Sequence, residues 1–536
     1  MSDLPETQRA IQLVGPDQIR LNPAKPVHRP KGRQILAKVE AVGLCFSDMK
    51  LLHQFDRHVR KAPVESGVDP EVLAELPSYV PGSQPTVPGH EAVIRIVEVG
   101  PDVRWYRPSE RYIVQADFRR LRVPTANAAF GYNFEGALQE YALLDERIVG
   151  DPADSDSYLI PAPEGPSASS MALVEPWACV ENSYCSPERR RPLSGGRLLL
   201  FGAGVEDRRR VLELCDRGPE LIAEARTLEA LRALPDASFD DAVLFRPTPE
   251  AVELVSDKLA DRGIANLVLA GGRLGRPCTI GIGRLHYGGC RWVGTAGEDP
   301  AEGYAWIPET GELRPGERML VVGAGGPMGQ MHVLRALMGG FGATVVAADV
   351  DDGRLEALAK KAGRLEGFVP ANPSRSDPGG GFTYVAVMAP EPELVADALG
   401  WCAEGALVNV FAGIPVGVKH AFDLDAVVGK RLFLFGTSGS ETRDMRSVLA
   451  KVLEGRLDTD ASVAAVCGMA GAEEGLRAVE RRTIEGKIVV YPCLPDLRLT
   501  PLADLGRVCP EAAAALRDGG WCLEAERALL EGLRSA

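Results

Sequence analysis

Met319-Leu-Val-Val-Gly-Ala-Gly-Gly-Pro-Met-Gly329, followed by a helix-compatible run to Leu337, reads as a strand, a glycine-rich turn and a helix. Gly323 and Gly325 permit a tight turn and the close approach of a pyrophosphate to the helix N-terminus, and Gly329 permits close helix–sheet packing. Gly326, Pro327 and Met328 complete the loop that would face such a ligand. The loop alone is a weak signal. The next strand, Ala343-Thr-Val-Val-Ala-Ala348, ends at Asp349, where a carboxylate can accept both hydroxyls of an adenosine ribose. An acid there also repels a 2′-phosphate, so the pattern predicts NAD in preference to NADP. The competing reading is that Asp349 only opens a turn with Asp351 and Asp352.

Working outward, the same pattern occurs earlier. Gly196-Arg-Leu-Leu-Leu-Phe-Gly-Ala-Gly204 matches Gly316-Glu-Arg-Met-Leu-Val-Val-Gly-Ala-Gly325, and the segment from Phe239 to Glu250 parallels that from Phe382 to Glu393. Arg291-Trp-Val-Gly-Thr-Ala-Gly297 then matches Leu434-Phe-Gly-Thr-Ser-Gly439. Matches in the same order predict two tandem Rossmann-like units, each a doubly wound parallel α/β sheet. The first copy is degenerate. Val205, Glu206 and Asp207 follow its Gly202-Ala-Gly204, where acids would repel a pyrophosphate, and Ala225 falls where the second copy has Asp349. Its expected role is structural.

Upstream, residues 1–175 show strand patches such as Gln34–Val39 and Ala92–Gly100 between Gly- and Pro-rich turns. This region carries Ala-Val-Gly-Leu-Cys-Phe-Ser-Asp at 41–48, Val-Pro-Gly-His-Glu at 87–91 and Leu-Val-Glu-Pro at 173–176. These offer a thiolate, an imidazole and a carboxylate, the ligand mix of catalytic zinc with one position open to substrate. The charged, proline-containing stretch from Leu51 to Pro88 interrupts the strands as a lid or substrate-side insertion. Its cluster Arg57, His58, Arg60 and Lys61 could hold a phosphate, although a solvated charged loop is the favoured reading.

The chain has 536 residues, a formal charge of −14 and 45% hydrophobic residues. That length implies several domains, and the acidic balance argues against a nucleic-acid partner. No stretch approaches the length of a membrane span and no signal peptide is visible, so a cytoplasmic protein is expected. Eleven scattered cysteines suggest reduced thiols, with Cys179, Cys185, Cys215, Cys402 and Cys467 as small core fillers.

Over residues 30–185 and 310–492 the chain resembles the zinc-containing medium-chain dehydrogenase/reductase superfamily, most closely its L-sorbose-1-phosphate reductase and sorbitol dehydrogenase group. The carriers are Gly43–Asp48, Gly89-His-Glu91, Gly131–Tyr141, Glu175–Val180, Gly323–Gly329, Gly436–Gly439 and Gly486–Val490. The resemblance implies a GroES-like β-rich catalytic domain. It implies that Cys45, His90 and Glu175 bind one catalytic zinc, with Glu91 as an alternative carboxylate ligand. Ser47 falls at the family's proton-relay hydroxyl and Asp48 at the carboxylate that orients the histidine. A cation so held lowers the pKa of a substrate hydroxyl, a neighbouring hydroxyl passes the proton outward, and the second acid fixes the imidazole tautomer. The family's four-cysteine lobe has no counterpart between Glu98 and Tyr141, so no structural zinc is expected. Ile94 replaces a family glycine, and Ser109-Glu-Arg111 replaces Gly-Asp-Arg.

The expected order is a GroES-like domain at 1–190, a degenerate Rossmann-like domain at 195–300, an NAD-binding Rossmann domain at 314–470, a return segment at 471–495 and a helical tail at 496–536. The resemblance implies hydride transfer between NAD and a secondary alcohol or ketone of a polyol, sugar or sugar phosphate. Alternatives are an alcohol dehydrogenase for an amino alcohol, cyclitol or simple alcohol, and a non-catalytic NAD-responsive scaffold. Superfamily members commonly dimerise through Rossmann edge strands, so the first copy could supply that partner internally, giving a monomeric pseudo-dimer; a homo-oligomer is the other possibility.

Overall fold

The computed structural model describes residues 4–534; the first three and last two residues of the expected domain ranges lie outside it. The chain divides into two compact units, residues 1–181 with 440–536 and residues 182–439. Residues 440–470, expected with the second Rossmann copy, therefore belong to the first unit. Among the described residues no helix is long and apolar enough to cross a membrane.

The first unit is built on an eight-stranded sheet. Strands Gln34–Gly43 and Glu91–Val99 are nearly continuous buried runs, because both faces of this part of the sheet are covered. They pair antiparallel with Gly43 opposite Glu91, and Lys487–Val490 pairs antiparallel on the other side with Val489 opposite Gly43. Three ends far apart in sequence are thereby brought to one place. The helix Phe46–Gln54 starts directly beyond the first of them, with Cys45 as its N-cap residue. The tail belongs to this unit: the helix Leu523–Arg534 buries Ala525 and Leu529, and Trp521 just ahead of it is also buried.

The second unit contains two all-parallel sheets. One has five strands in the order Leu221–Ala225, Arg197–Phe201, Phe239–Phe245, Leu259–Val268, Arg291–Thr295. The other has six, in the order Phe368–Ala371, Thr344–Ala348, Arg318–Val322, Phe382–Val387, Cys402–Val410, Phe433–Phe435. The second sheet repeats the order of the first and adds one edge strand, so the fold is α/β with a GroES-like unit and duplicated parallel sheets.

The two copies pack on each other through equivalent elements. Cys278–Ile280 of the first pairs antiparallel with His420–Phe422 of the second, with Thr279 opposite Ala421. The Arg291 guanidinium, ion-paired with Glu188, donates to the Gly436 carbonyl at 3.2 Å. One apolar core runs through both, from Leu199 and Leu267 to Leu320 and Val408. A Cβ on Gly294 would lie 2.7 Å from the Val428 side chain, so the edge strand of the first copy packs closely on the helix Leu424–Gly429 of the second. This is the pattern of an isologous two-fold interface, made within one chain.

Strand register corrects one expected equivalence. Phe201 pairs with Ala225 as Val322 pairs with Ala348, so the residue equivalent to Asp349 is the exposed Arg226 and not Ala225. The sequence match places the two strand ends one residue apart because strand ends carry no register of their own.

Candidate active site

The strand ends of the first unit place Cys45, His90 and Glu91 together, with their ligand atoms all within 4.8 Å of one another. Asp48 sits one helical turn from Cys45. Its Oδ1 lies 3.2 Å from His90 Nδ1 and accepts from the Gly89 amide, while its Oδ2 accepts from the Cys45 amide. The carboxylate thus fixes both backbone and imidazole, leaving Nε2 directed at the cluster. The Ser47 hydroxyl donates to Cys45 Sγ at 3.0 Å and lies 3.1 Å from His90 Nε2.

Glu91 is fully buried. Its Oε1 accepts from Lys487 Nζ at 2.5 Å, and Lys487 also donates to the Leu44 carbonyl. Burial works against the Lys487 charge, but Glu91 outweighs it and raises the ammonium's pKa. Glu91 Oε2 is buried with no hydrogen-bond partner. A Cβ at Gly43 would lie 2.1 Å from that oxygen, so glycine is required to seat it. A thiol, an imidazole nitrogen and an orphaned carboxylate oxygen this close together fit a zinc ion chemically.

Glu175 is not part of the three-residue cluster; it is buried beside it, near the start of the helix Val174–Cys185. Burial pushes its carboxyl up, with His90 opposing and Glu91 adding to the shift. Cys179, one turn on, donates its thiol to Glu175 Oε1 at 3.8 Å, and burial followed by the Glu175 charge pushes that thiol well up. Cys179 is therefore a neighbour of the site and not a mere filler. Its spacing of four from Glu175 was the available signal, since such residues share a helix face.

The cluster at 57–61 is not a solvated loop. Lys61 is fully buried, donating to the carbonyls of Val80 and Gln84, and burial lowers it to about 8. Arg60 is ion-paired with Asp117, lies 5.5 Å over the Tyr132 ring and feels the Glu175 charge. The His58 ring is 5.1 Å from that of Tyr132, and burial, then Arg60, lowers it to about 4. Of the four basic residues only Arg57 is exposed. Arg119 and Gln115 extend the polar wall, donating to Ser440.

In the second unit the glycine-rich loop links the strand Arg318–Val322 to the helix Pro327–Met338. Gly323 has φ +82°, and Gly326 is the N-cap residue with no side chain over the helix end. A Cβ on Gly329 would lie 2.2 Å from the Gly323 carbonyl oxygen. Met328 is half-buried and Pro327 exposed. Asp349 accepts from the Gly325 amide at 2.9 Å and from the Asp351 amide at 3.0 Å. It holds the loop and retains acceptor capacity, because a carboxylate offers about four lone-pair sites. In the first copy, Asp207 Oδ2 instead accepts from the Gly204 amide at 3.0 Å, so the chain's own anion occupies that helix end.

Residues 31–151 match the alcohol dehydrogenase GroES-like domain. The chain is 28% identical over 340 residues to L-sorbose 1-phosphate reductase of Klebsiella pneumoniae, covering 54% of this chain and 76% of that one. In these features it resembles the zinc-type medium-chain dehydrogenases/reductases. It is also 27% identical over 286 residues to the uncharacterised protein YggP of Escherichia coli K12, covering 44% of this chain and 65% of YggP's length. In fold it is similar to 2R,3R-butanediol dehydrogenase from Bacillus subtilis, with a TM-score of 0.55 at 16% identity, covering 91% of this chain and all of that one. Beside the matched GroES-like domain the chain carries a duplicated pair of parallel sheets.

Proposed function

We propose that the chain is a zinc-dependent oxidoreductase that moves hydride between NAD(H) and a secondary alcohol or ketone of a polyol, sugar or sugar phosphate. The observation that carries this reading is the convergence of Cys45, His90 and the orphaned Glu91 oxygen around the Ser47 hydroxyl. Cys45, His90 and Glu91 would hold the zinc, with Glu175 as the nearby carboxylate that exchanges with Glu91 or takes up a proton. When bound, zinc supplies a Lewis acid that polarises the substrate oxygen. Asp48 holds the His90 tautomer, and Ser47 carries a proton away from the substrate hydroxyl.

The substrate class follows from the wall beside the cluster. Arg60, Asp117, Tyr132, His58 and Arg119 make a polar wall whose remaining donor and acceptor capacity suits a polyhydroxylated chain better than a simple alcohol. Similarity to a sorbose phosphate reductase favours the same class. Asp349 favours NAD over NADP by charge.

The test combines metal analysis, NADH binding and a screen of polyols and their phosphates with both cofactors. One zinc per chain and turnover of a polyol or sugar phosphate with NAD are expected. Cys45→Ser and Glu175→Ala should abolish turnover while NADH binding persists. A protein that takes up neither zinc nor NADH would overturn the proposal.

A further inference from the structure

The C-terminal segment meets the body of the first unit through two buried carboxyls, Asp460 and Glu526. Glu526 Oε1 accepts from the Ala168 amide at 2.6 Å; its Oε2 accepts from the Ser169 amide at 2.8 Å and the Tyr491 hydroxyl at 2.8 Å. Asp460 Oδ2 accepts from the Ser167 hydroxyl at 2.5 Å. Between the two acids stands Ser169 Oγ, 2.6 Å from Asp460 Oδ1 and 2.9 Å from Glu526 Oε2. The Trp521 indole N–H donates to the same oxygen at 3.0 Å.

Counting protons decides the state of this cluster. Ser169 Oγ owns one hydrogen and receives one from Trp521, yet it makes close contact with two carboxyl oxygens. Were both acids ionised, one of those contacts would set oxygen against oxygen with no hydrogen between them. A single proton on Asp460 Oδ1 satisfies every contact: Asp460 donates to Ser169, Ser169 donates to Glu526, and Glu526 only accepts. Glu526 Oε2 already takes an amide and a phenol proton, which leaves Asp460 as the carrier.

We propose that Asp460, Ser169 and Glu526 form a proton-dependent latch that clamps the C-terminal helix onto the segment leading into Glu175. The short helix Ala168–Ala172, whose first amides Glu526 holds, is followed by Leu173 and then by the helix carrying Glu175. The groups facing Asp460 are the Ser167 and Ser169 hydroxyls, Glu526 and Tyr491; on its own turn is Asp458, which in turn feels Arg517. Among these neighbours no cation faces Asp460 directly, and burial pushes its carboxyl up to about 7. With the folded value raised, the proton is retained on folding. The contribution to docking is full below the free carboxyl value of 3.8, declines as pH rises toward the docked value of about 7, and is gone above it.

The latch concerns the tail and stands apart from the reaction assigned above. Its test is amide hydrogen exchange on the full zinc-loaded chain from about pH 5 to about pH 9, with intrinsic rates divided out. Protection across Leu523–Arg534 and at Ala168 and Ser169 should fall by up to about tenfold per pH unit, the limit for one proton, between about pH 5 and about pH 7, and level off above neutrality. The strand Arg318–Val322 serves as the invariant reference. Asp460→Asn keeps a donor toward Ser169, so its tail protection should be independent of pH, and the infrared carbonyl band of a buried protonated carboxyl should disappear. Tail protection in the unmodified chain that does not change with pH would overturn the proposal, as would an unaltered pH dependence in D460N.

Discussion

At the scale of single residues, the candidate centre rests on a buried ion pair that no local pattern announces. Cys45, Ser47, Asp48, His90 and Glu91 were legible because each lies in a short motif whose chemistry is recognisable. Lys487 was not. It lies 396 positions from Glu91 and meets it only through the strand register at Gly43. Arg60 and Lys61 were misread for the same reason, since Asp117 and the carbonyls of Val80 and Gln84 become their neighbours only on folding. Removing one partner of a buried pair leaves an uncompensated charge. In chelator-treated protein Lys487→Met should therefore lower stability by about 3–5 kcal/mol in urea unfolding, and adding Glu91→Gln should restore most of it. A single variant as stable as the parent would remove the pair's structural role.

Asp349 supports a second measurement at this scale. Its carboxylate holds Gly325 and is proposed to hold the ribose. Asp349→Ala should weaken NAD by about tenfold or more, the loss of a charge-assisted hydrogen bond, while NADP weakens less. Equal losses for both cofactors in calorimetry would leave Asp349 with the loop alone.

Among the elements, the glycine-rich turn shows what spacing does and does not reveal. Its strand, turn and helix were readable because glycine and proline punctuate them. The copies' difference at this turn was readable too, as Glu206 and Asp207 stand in the first turn of one helix and Pro327 and Met328 in the other. What remained hidden was register, which is why Arg226 and not Ala225 faces the position of Asp349. Gly329 lies against backbone that cannot swing aside. Gly329→Ala should strain the turn by about 1–3 kcal/mol and weaken NADH about tenfold or more, with zinc content unchanged. Unaltered NADH affinity would show that the turn can yield.

At the scale of the whole molecule, the duplicated sheets are joined by the ribbon of Cys278–Ile280 and His420–Phe422 and share one apolar core. Light scattering should report a monomer at every concentration, and calorimetry one NADH per chain. A stable dimer would show that another surface was available. Gly294→Val, which drives a side chain into Val428 across the copies, should cost about 1–3 kcal/mol and lower the melting temperature without altering the zinc centre. An unchanged melting temperature would mean that the copies can separate locally at little cost.

The pairing of Cys278–Ile280 with His420–Phe422 joins two halves that share a backbone. A partner held on a tether is present at an effective concentration fixed by the linker, so dilution cannot dissociate it and mixing cannot exchange it. Symmetry then ceases to be obligatory. In a dimer of identical chains a change in the glycine-rich turn appears on both sides; here the two turns differ, with Asp207 accepting from the Gly204 amide at one helix end and Asp349 from the Gly325 amide beside the other. The fusion turns a two-fold pairing into one in which the two sides are free to differ.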